Sequence, residues 1–241
     1  MKAVALIARR ELAAYLRTWT GYVIIAVVLA VDALLFSAFA MGGASKRSAE
    51  VVSLFFYFSS GTTLVASVFI AMRLLAEERQ TGTIALLYSS PVRDVEIVLG
   101  KFFSALGFLA LMTALTFFMP LLVLVNGKIS FGHLFVGYLG LLLLGAAALA
   151  IGTFGSALAK NQVLAAILSG CMLVALLVSW LLANVTERPF SGIFSALALH
   201  GKHFQPFQQG IVHLRDVVYY LAVAWVALFA ATRVIEARRW R

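Results

Sequence analysis

The chain has 241 residues, of which 63% are hydrophobic and only 12% are charged, about half the charged fraction of a soluble domain. Its formal net charge of +9 would suggest nucleic-acid binding in a soluble protein. Apolar runs long enough to cross a bilayer recur along the chain, so the composition excludes an ordinary soluble domain and indicates a polytopic membrane protein.

Six segments have the length of a membrane span, which takes about 20 apolar residues. They are residues 22–41, 52–74, 98–125, 133–158, 163–184 and 216–233. The third and fourth are longer than a bilayer requires, so we expect them to tilt or to project from it. The sequence therefore predicts an all-α fold with a single transmembrane domain over residues 1–241.

The basic residues divide unevenly between the two sides of the membrane. With the N-terminus inside, the inner segments hold thirteen of the 19 lysines and arginines and the outer segments hold six. The thirteen are Lys2, Arg9, Arg10, Arg17, Arg73, Arg79, Arg93, Lys101, Lys160, Arg233, Arg238, Arg239 and Arg241; the six are Lys46, Arg47, Lys128, Arg188, Lys202 and Arg215. The positive-inside rule then predicts that both termini and residues 77–91 are cytoplasmic, in a cell inner membrane. Topology explains the basic excess, and we expect no nucleic-acid partner.

Residues 2–19 are predicted to form an amphipathic helix before the first span. At about 100° per residue, one arc carries Lys2, Arg9, Arg10 and Arg17, and another side carries Val4, Ala8, Leu12, Tyr15, Leu16 and Trp19. A basic amphipathic helix of this kind lies in the cytoplasmic interface of the bilayer. It can serve as a membrane anchor, as a lever that contacts a cytoplasmic partner, or as both.

Asp32 is the one carboxylate deep within a predicted span. Acids at this depth are costly and usually face a partner or a water-filled path. Asp32 therefore has two candidate roles. It either acts in a path or at a dimer interface, or it is a structural carboxyl that is hydrogen-bonded locally or protonated.

The sequence EERQTGTIALLYSSP, residues 77–91, separates the second and third spans. Glu77, Glu78 and Arg79 are expected to be solvated just past the second span. Gly82 suits the left-handed conformation that ends a helix, and Thr83 suits the N-cap of a short helix over residues 84–89.

The end of the same segment is marked by a proline. Pro91 stops the short helix, and Asp94 is expected to cap the third span. The short helix would offer apolar surface that a solvated connector does not need, from Ile84, Leu86, Leu87 and Tyr88. Such an exposed surface is expected to meet a partner protein or the bilayer.

Three stretches resemble one family, the permeases of type-2 (ABC-2) ABC transporters. The pattern of residues 77–91, followed by IVLGKF at 97–102, resembles their coupling-helix region, although the family often has Glu where this chain has Ala85. ARRELAAYLRTWTGYV at 8–23 resembles their N-terminal connector helix and first span. QQGIVHLRDVVYY at 208–220 resembles the start of the last span in the gliding-motility (GldF-like) and NosY-like subgroup.

The resemblance implies a six-helix permease that pairs with a second permease copy or a homologous permease and binds cytoplasmic ABC ATPase subunits. It also implies that residues 185–215 form short re-entrant helices at the external mouth, and SGIFSALAL at 191–199 is indeed apolar but too short to span. The coupling residues that would contact the ATPase are Glu77, Glu78, Arg79, Gly82, Thr83, Ile84, Leu87 and Pro91. The connector helix would present a basic face formed by Arg9, Arg10 and Arg17.

No catalytic residue is predicted in this chain. The sequence contains no G-x-x-x-x-G-K-[ST], and Val95 occupies the place of the first glycine before Gly100 and Lys101. ATP and Mg²⁺ are therefore expected in a partner ATPase, and this chain is expected to bind no cofactor. Glu77 and Glu78 do not form a catalytic pair, because adjacent helical residues point about 100° apart.

Three further features have a structural and a functional interpretation. His200, His203 and His213 share the external segment, but without a cysteine or a nearby acid cluster they predict polar loop residues rather than a metal site. Cys171 is expected to be a buried packing residue. Ala148, Gly152 and Ser156 recur every four residues, which favours close helix packing within the protomer over dimerisation.

Three functions remain open from the sequence. The first is an exporter subunit in which ATP-driven motion of residues 84–89 tilts the second and third spans. The second is a mechanotransmitter, in which the same motion acts on a periplasmic or membrane accessory protein without moving a substrate. The third is an ATP-independent carrier or channel that uses Asp32.

Overall fold

The computed structural model describes residues 2–41, 47–83, 92–125, 127–187 and 190–239. These residues form α-helices and no strand, so the predicted all-α fold is confirmed. The helices are α1 (Lys2–Arg17), α2 (Trp19–Leu35), α3 (Ser48–Ala71), α4 (Ala76–Gln80), α5 (Asp94–Leu115), α6 (Phe118–Val123), α7 (Phe131–Leu158), α8 (Gln162–Val185), α9 (Phe190–Leu197), α10 (Gln205–Gln208) and α11 (Leu214–Arg239). A π-helical turn, Phe36–Met41, continues α2.

Six stretches of the described chain are long and apolar enough to cross a membrane. They are Trp19–Met41, Ser48–Gln80, Asp94–Val123, Phe131–Leu158, Gln162–Ala183 and Leu214–Arg238. Their number is the number predicted from the sequence. Each begins one to four residues before the corresponding predicted span.

The third span is not the continuous helix that the sequence predicted over residues 98–125. Helix α5 ends at Leu115 and α6 begins at Phe118. Pro120 lies in α6, and its ring and missing N–H prevent a normal helical bond to the carbonyl of Thr116 four residues earlier. The carbonyl of Thr116 accepts instead from the N–H of Met119 at 3.0 Å. The break thus follows from the proline.

Helix α7 forms the centre of the bundle and packs against α3, α5, α8 and α11. Close approach depends on its small residues: a Cβ on Gly152 would lie 2.4 Å from the Cβ of Ala71, and one on Gly145 would lie 2.3 Å from Leu109. Ala148, Gly152 and Ser156 are all buried inside the protomer. The prediction that this row of small residues packs within the protomer is confirmed.

Helix α1 packs along α5, so its apolar side covers protein rather than only the bilayer surface, as the sequence had suggested. A Cβ on Gly100 would lie 2.8 Å from Ile7, and the ring of Tyr15 stacks on Phe108 with 5.0 Å between centroids. Glycine at position 100 lets the two backbones approach. The predicted basic face, with Arg9, Arg10 and Arg17, is exposed on the opposite side.

Candidate coupling site

Helix α4 ends the second candidate span and contains the first residues of the segment 77–91 that resembles a coupling region. Its start is fixed by α7, because the backbone N–H groups of Leu75 and Ala76 donate to the hydroxyl of Ser156 at 3.1 and 3.0 Å. Helix N-termini leave such donors without intrahelical partners, and here a side chain from another helix accepts them. The end of α4 is followed by Gly82 at φ 74°, the left-handed conformation that its sequence position predicted.

A buried cluster of charges joins α4 to two other helices. The Lys101 ammonium on α5 lies 2.8 Å from a carboxylate oxygen of Glu78 on α4 and 3.7 Å from one of Glu11 on α1. The side chain of Lys101 is only 3% exposed. Arg10 donates to the same oxygen of Glu11 at 2.8 Å, and this hydrogen bond raises the pKa of Arg10. We call Glu11, Glu78 and Lys101 the charge cluster.

Two arginines connect the same region to its surroundings. Arg73 donates two hydrogen bonds to the carboxylate of Glu77, at 2.9 and 3.1 Å, and another to the hydroxyl of Thr20 at the start of α2. Arg79 donates to the carbonyls of Ala157 and Ala159 at 2.5 and 2.8 Å, at the C-terminal end of α7. A cation at this helix end satisfies free carbonyls and opposes the negative end of the helix dipole.

The expectation that Glu77, Glu78 and Arg79 are solvated is therefore wrong. Each of the three side chains bonds to the transmembrane bundle. The reason is that the ends of α5 and α7 leave a buried ammonium and free carbonyls that need partners. These three residues act as ties between α4 and the bundle.

The coupling residues beyond Gly82 are only partly within the described chain. The Thr83 hydroxyl lies 2.9 Å from that of Thr81, and residues 84–91, with Ile84, Leu87 and Pro91, lie outside the described residues. The predicted helix over 84–89 lies there too. Asp94 is the first residue of α5 rather than its cap, and the cap is Arg93.

Sequence reasoning missed Glu11, Lys101 and Ser156 as parts of this site. A signal for Lys101 was present, because a lysine within the apolar run that starts at Ile97 must find an anionic partner. The sequence does not identify that partner. Glu11 and Glu78 lie 90 and 23 residues away along the chain, and only tertiary packing brings them to the ammonium.

Asp32 is buried inside the protomer, with 4% of its surface exposed. Its carboxylate accepts a hydrogen bond from the hydroxyl of Thr62 on α3 at 2.7 Å, and Ser59 contributes a second hydroxyl. Asp32 therefore has the geometry of a locally hydrogen-bonded carboxyl between the first two spans.

An apolar groove of about 650 Å³ opens beside this pair of spans. Val27 and Val31 line it from α2, Val65 and Phe69 from α3, and His200 lies in its wall. Thr62, the donor to Asp32, also lines the groove. The groove has the size of a small-molecule site and can accept an apolar chain.

The three external histidines do not converge. His200 lies 2.8 Å from the hydroxyl of Ser60, and burial lowers its pKa. His203 is buried and lies 2.7 Å from the carboxylate of Asp216, whereas His213 is exposed. Sequence reasoning missed the His203–Asp216 pair, which joins residues 13 positions apart. Within the described chain, no group of three or more metal-ligating side chains forms.

The described residues between α8 and α11, which the sequence predicted to be external, pack into the bundle through short helices. Helices α9 and α10 lie among these residues, and the N–H of Leu199 donates to the carbonyl of Leu176 at 3.4 Å. Leu176 lies nine residues before the end of α8, or about 14 Å along its axis. Phe204 and Phe207 are fully buried. On α8 itself, Cys171 is exposed, which corrects the expectation of a buried thiol.

A bundle of six candidate spans with this arrangement defines a multi-pass membrane protein. A family model described as ABC-2 family transporter protein matches residues 43–232, well over half of the chain, so the chain belongs to this family. It is a permease subunit of an ABC transporter, a non-catalytic membrane subunit whose ATPase is a separate partner. Membership implies association with an ABC ATPase and usually dimerisation. No curated protein matches the chain.

Proposed function

We propose that this chain is the permease subunit of an ATP-driven exporter, that it works as a dimer, and that cytoplasmic ATPases act on it through residues 77–91. ATP and Mg²⁺ would bind in the ATPase partners, and this chain would bind neither. Both termini and residues 77–91 would face the cytoplasm across an inner membrane, as the distribution of basic residues indicates.

The observation that carries this proposal is the attachment of α4 to the bundle. This five-residue helix is tied to α5 and α1 by the charge cluster and to α7 by Ser156 and Arg79. The Arg73–Glu77 pair ties it to the turn that follows α3. A solvated connector needs no such ties. They support a rigid link, so that displacement of residues 84–91 by an ATPase would move α1, α5 and α7 together.

Transport is favoured over the other candidate functions by the apolar groove. Its lining by Val27, Val31, Val65 and Phe69 suits a lipid, an amphiphile or another hydrophobic compound. Mechanotransmission, in the manner of a GldF-like or NosY-like permease, would need an accessory protein at the external face. A carrier based on Asp32 is disfavoured, because its carboxyl is buried and hydrogen-bonded to Thr62.

The first experiment is purification of the tagged chain from its native membrane, followed by mass spectrometry of the proteins that accompany it. We expect a P-loop ATPase in stoichiometric amount. An additional periplasmic or membrane protein in the same amount would replace export by mechanotransmission. Recovery of the chain alone, under conditions that keep other ABC complexes intact, would refute the proposal.

The docking assignment has its own test. Leu87→Asp is expected to abolish recovery of the ATPase, because a charge would replace apolar contact surface. Val212→Asp makes the same exchange at an exposed position in the external segment and should leave recovery unchanged. Retention of the ATPase by Leu87→Asp would show that docking occurs elsewhere.

A further inference from the structure

A second cavity, of about 390 Å³, lies at the end of the bundle opposite α4. Lys202, Gln205, Gln209 and His213 line it from the external segment, together with Pro206 and Ile211, and Trp180 closes it from α8. Helix α7 shows which end of the bundle holds the cavity. Gly210, between the lining residues Gln209 and Ile211, packs against His133 at the start of α7. Ser156, which caps α4, lies near the other end of the same helix.

The loop that forms most of this pocket is held firmly in place. His203 lies 2.7 Å from Asp216, and the imidazole of His133 lies 2.6 Å from the carbonyl of Gln208. Gly201 has a φ of 70°, and its backbone lies so close to the Trp180 indole that a Cβ would be 2.4 Å from the ring. These contacts fix the backbone that carries the polar side chains of the pocket before any ligand arrives, which lowers the entropic cost of binding.

The wall of the pocket offers donors and positive charge. The Lys202 ammonium, the amides of Gln205 and Gln209 and the indole of Trp180 can all donate hydrogen bonds. None of the described residues that line the pocket is Asp or Glu. The nearby carboxylate of Asp216 is 4% exposed and already paired with His203, so it does not oppose an anion in the pocket.

The hydrogen-bond donors of the pocket also favour a tetrahedral anion as the ligand. Lysine binds phosphate as a point charge, and amides and an indole can donate to the remaining oxygens of a tetrahedral anion. The Lys202 ammonium is held near the pocket by Ser195, whose hydroxyl accepts from it at 3.3 Å. The volume of the pocket exceeds that of a bare phosphate and leaves room for the rest of a headgroup.

We propose that this pocket binds a phosphate-type anion, either free or as the headgroup of an anionic lipid. The site lies outside the apolar groove and away from residues 77–91. The proposal therefore does not depend on ATPase docking, and either can fail without the other.

The test uses the fluorescence of Trp180 in the full-length chain purified in detergent. Separate titrations with inorganic phosphate and with dihexanoyl phosphatidylglycerol are expected to give a saturable change in emission. Trp180→Phe should remove that change and leave the signals of the other three tryptophans. Native mass spectrometry of the same samples provides a second readout of binding.

The decisive variant is Lys202→Gln, which removes the charge and keeps a donor. We expect it to weaken binding by about tenfold, because hydrogen bonds to charged groups are roughly twice as strong as neutral ones. Lys202→Arg should bind as the wild type does. Arg215→Gln removes an exposed cation next to Asp216 that does not line the pocket, and it should leave binding unchanged.

The two ligands distinguish the sources of the anion. Inorganic phosphate that binds and competes with the lipid indicates a free anion, and binding of the lipid alone indicates a headgroup site. The proposal is overturned if neither method detects binding, if Lys202→Gln binds as the wild type does, or if Arg215→Gln loses as much affinity as Lys202→Gln. The last result would mean that only the general surface charge attracts the anion.

Discussion

Replacement of Lys101 by methionine tests whether the charge cluster holds α1, α4 and α5 together. The substitution keeps an unbranched side chain of similar length and removes only the ammonium. Glu78 and Glu11 then face each other without the cation that separates them. We expect the protein to lose stability and the link between α4 and the bundle to loosen.

The size of the effect follows from the geometry. At an effective dielectric constant of about 20, the distances of 2.8 and 3.7 Å give attractions of about 6 and about 4.5 kcal/mol. Desolvation of the buried ions offsets most of this gain. Breaking a buried pair usually costs about 3–5 kcal/mol. The side chains of Glu78 and Glu11 keep 15% and 20% exposure, so we expect a loss near the lower limit, about 3 kcal/mol.

Thermal unfolding in detergent measures this loss. For a chain of this size, each kcal/mol changes Tm by about 2–4 °C, so Lys101→Met should lower Tm by about 6–12 °C. Arg233→Met provides the matched control, because it breaks an ion pair with Glu236 whose two side chains are 65% and 36% exposed. Exposed pairs contribute at most about 1 kcal/mol, so the control should change Tm by less than about 4 °C.

A double-mutant cycle with Glu78→Gln separates the pair from other effects of the lysine. If the ion pair is the cause, the double variant should be more stable than the sum of the single losses predicts, by about 1 kcal/mol or more. The reasoning is refuted if the losses are additive, or if Lys101→Met melts together with Arg233→Met. Either result would mean that the ion pair between Lys101 and Glu78 does not stabilise the protein.

Three further outcomes are expected. Burial lowers the pKa of His200 in the folded chain, so the unfolded chain binds a proton more readily. The stability contributed by the neutral imidazole should be fully present above about pH 6.5 and should fall by up to about 1.4 kcal/mol per pH unit below it. When Tm is measured against pH, His200→Gln should show a smaller decline than the wild type. Gly152→Leu should cost about 3 kcal/mol in thermal unfolding because Ala71 fills the space, whereas Gly170→Leu, with no atom within 4 Å, should cost much less. Asp32→Asn keeps an oxygen acceptor and should leave ATP-driven export intact; loss of transport would support the carrier function instead.

The structure reproduced the predicted elements that rest on long apolar runs or on a helical pattern of polar and apolar residues. Six runs of apolar residues gave six candidate spans, and the basic and apolar faces of α1 were readable from its 3.6-residue period. The small residues of α7 were also interpreted correctly, because close packing at four-residue spacing leaves a sequence pattern.

The incorrect predictions about exposure have a common cause. Glu77, Glu78 and Arg79 were expected in water because charged residues beyond a span usually are. The partners of Glu78 and Arg79 come from α5 and α7, which are far away along the chain, so the sequence does not relate them to α4. The exposure of Cys171 was missed for the same reason, since an apolar span does not indicate which of its sides faces other helices.

Hydrophobicity and charge distribution are properties of the chain itself, so the sequence by itself determined the membrane class, the number of candidate spans and the amphipathic N-terminal helix. The resemblance of residues 77–91 to a coupling region indicated the ABC-2 family, to which the match over residues 43–232 assigns the chain. Only the tertiary structure decided which charges pair, where Lys101 finds its carboxylates, and which polar side chains surround the pocket at Lys202. Those contacts join residues far apart along the chain, and their energies depend on distances of a few ångströms that only the packed helices determine.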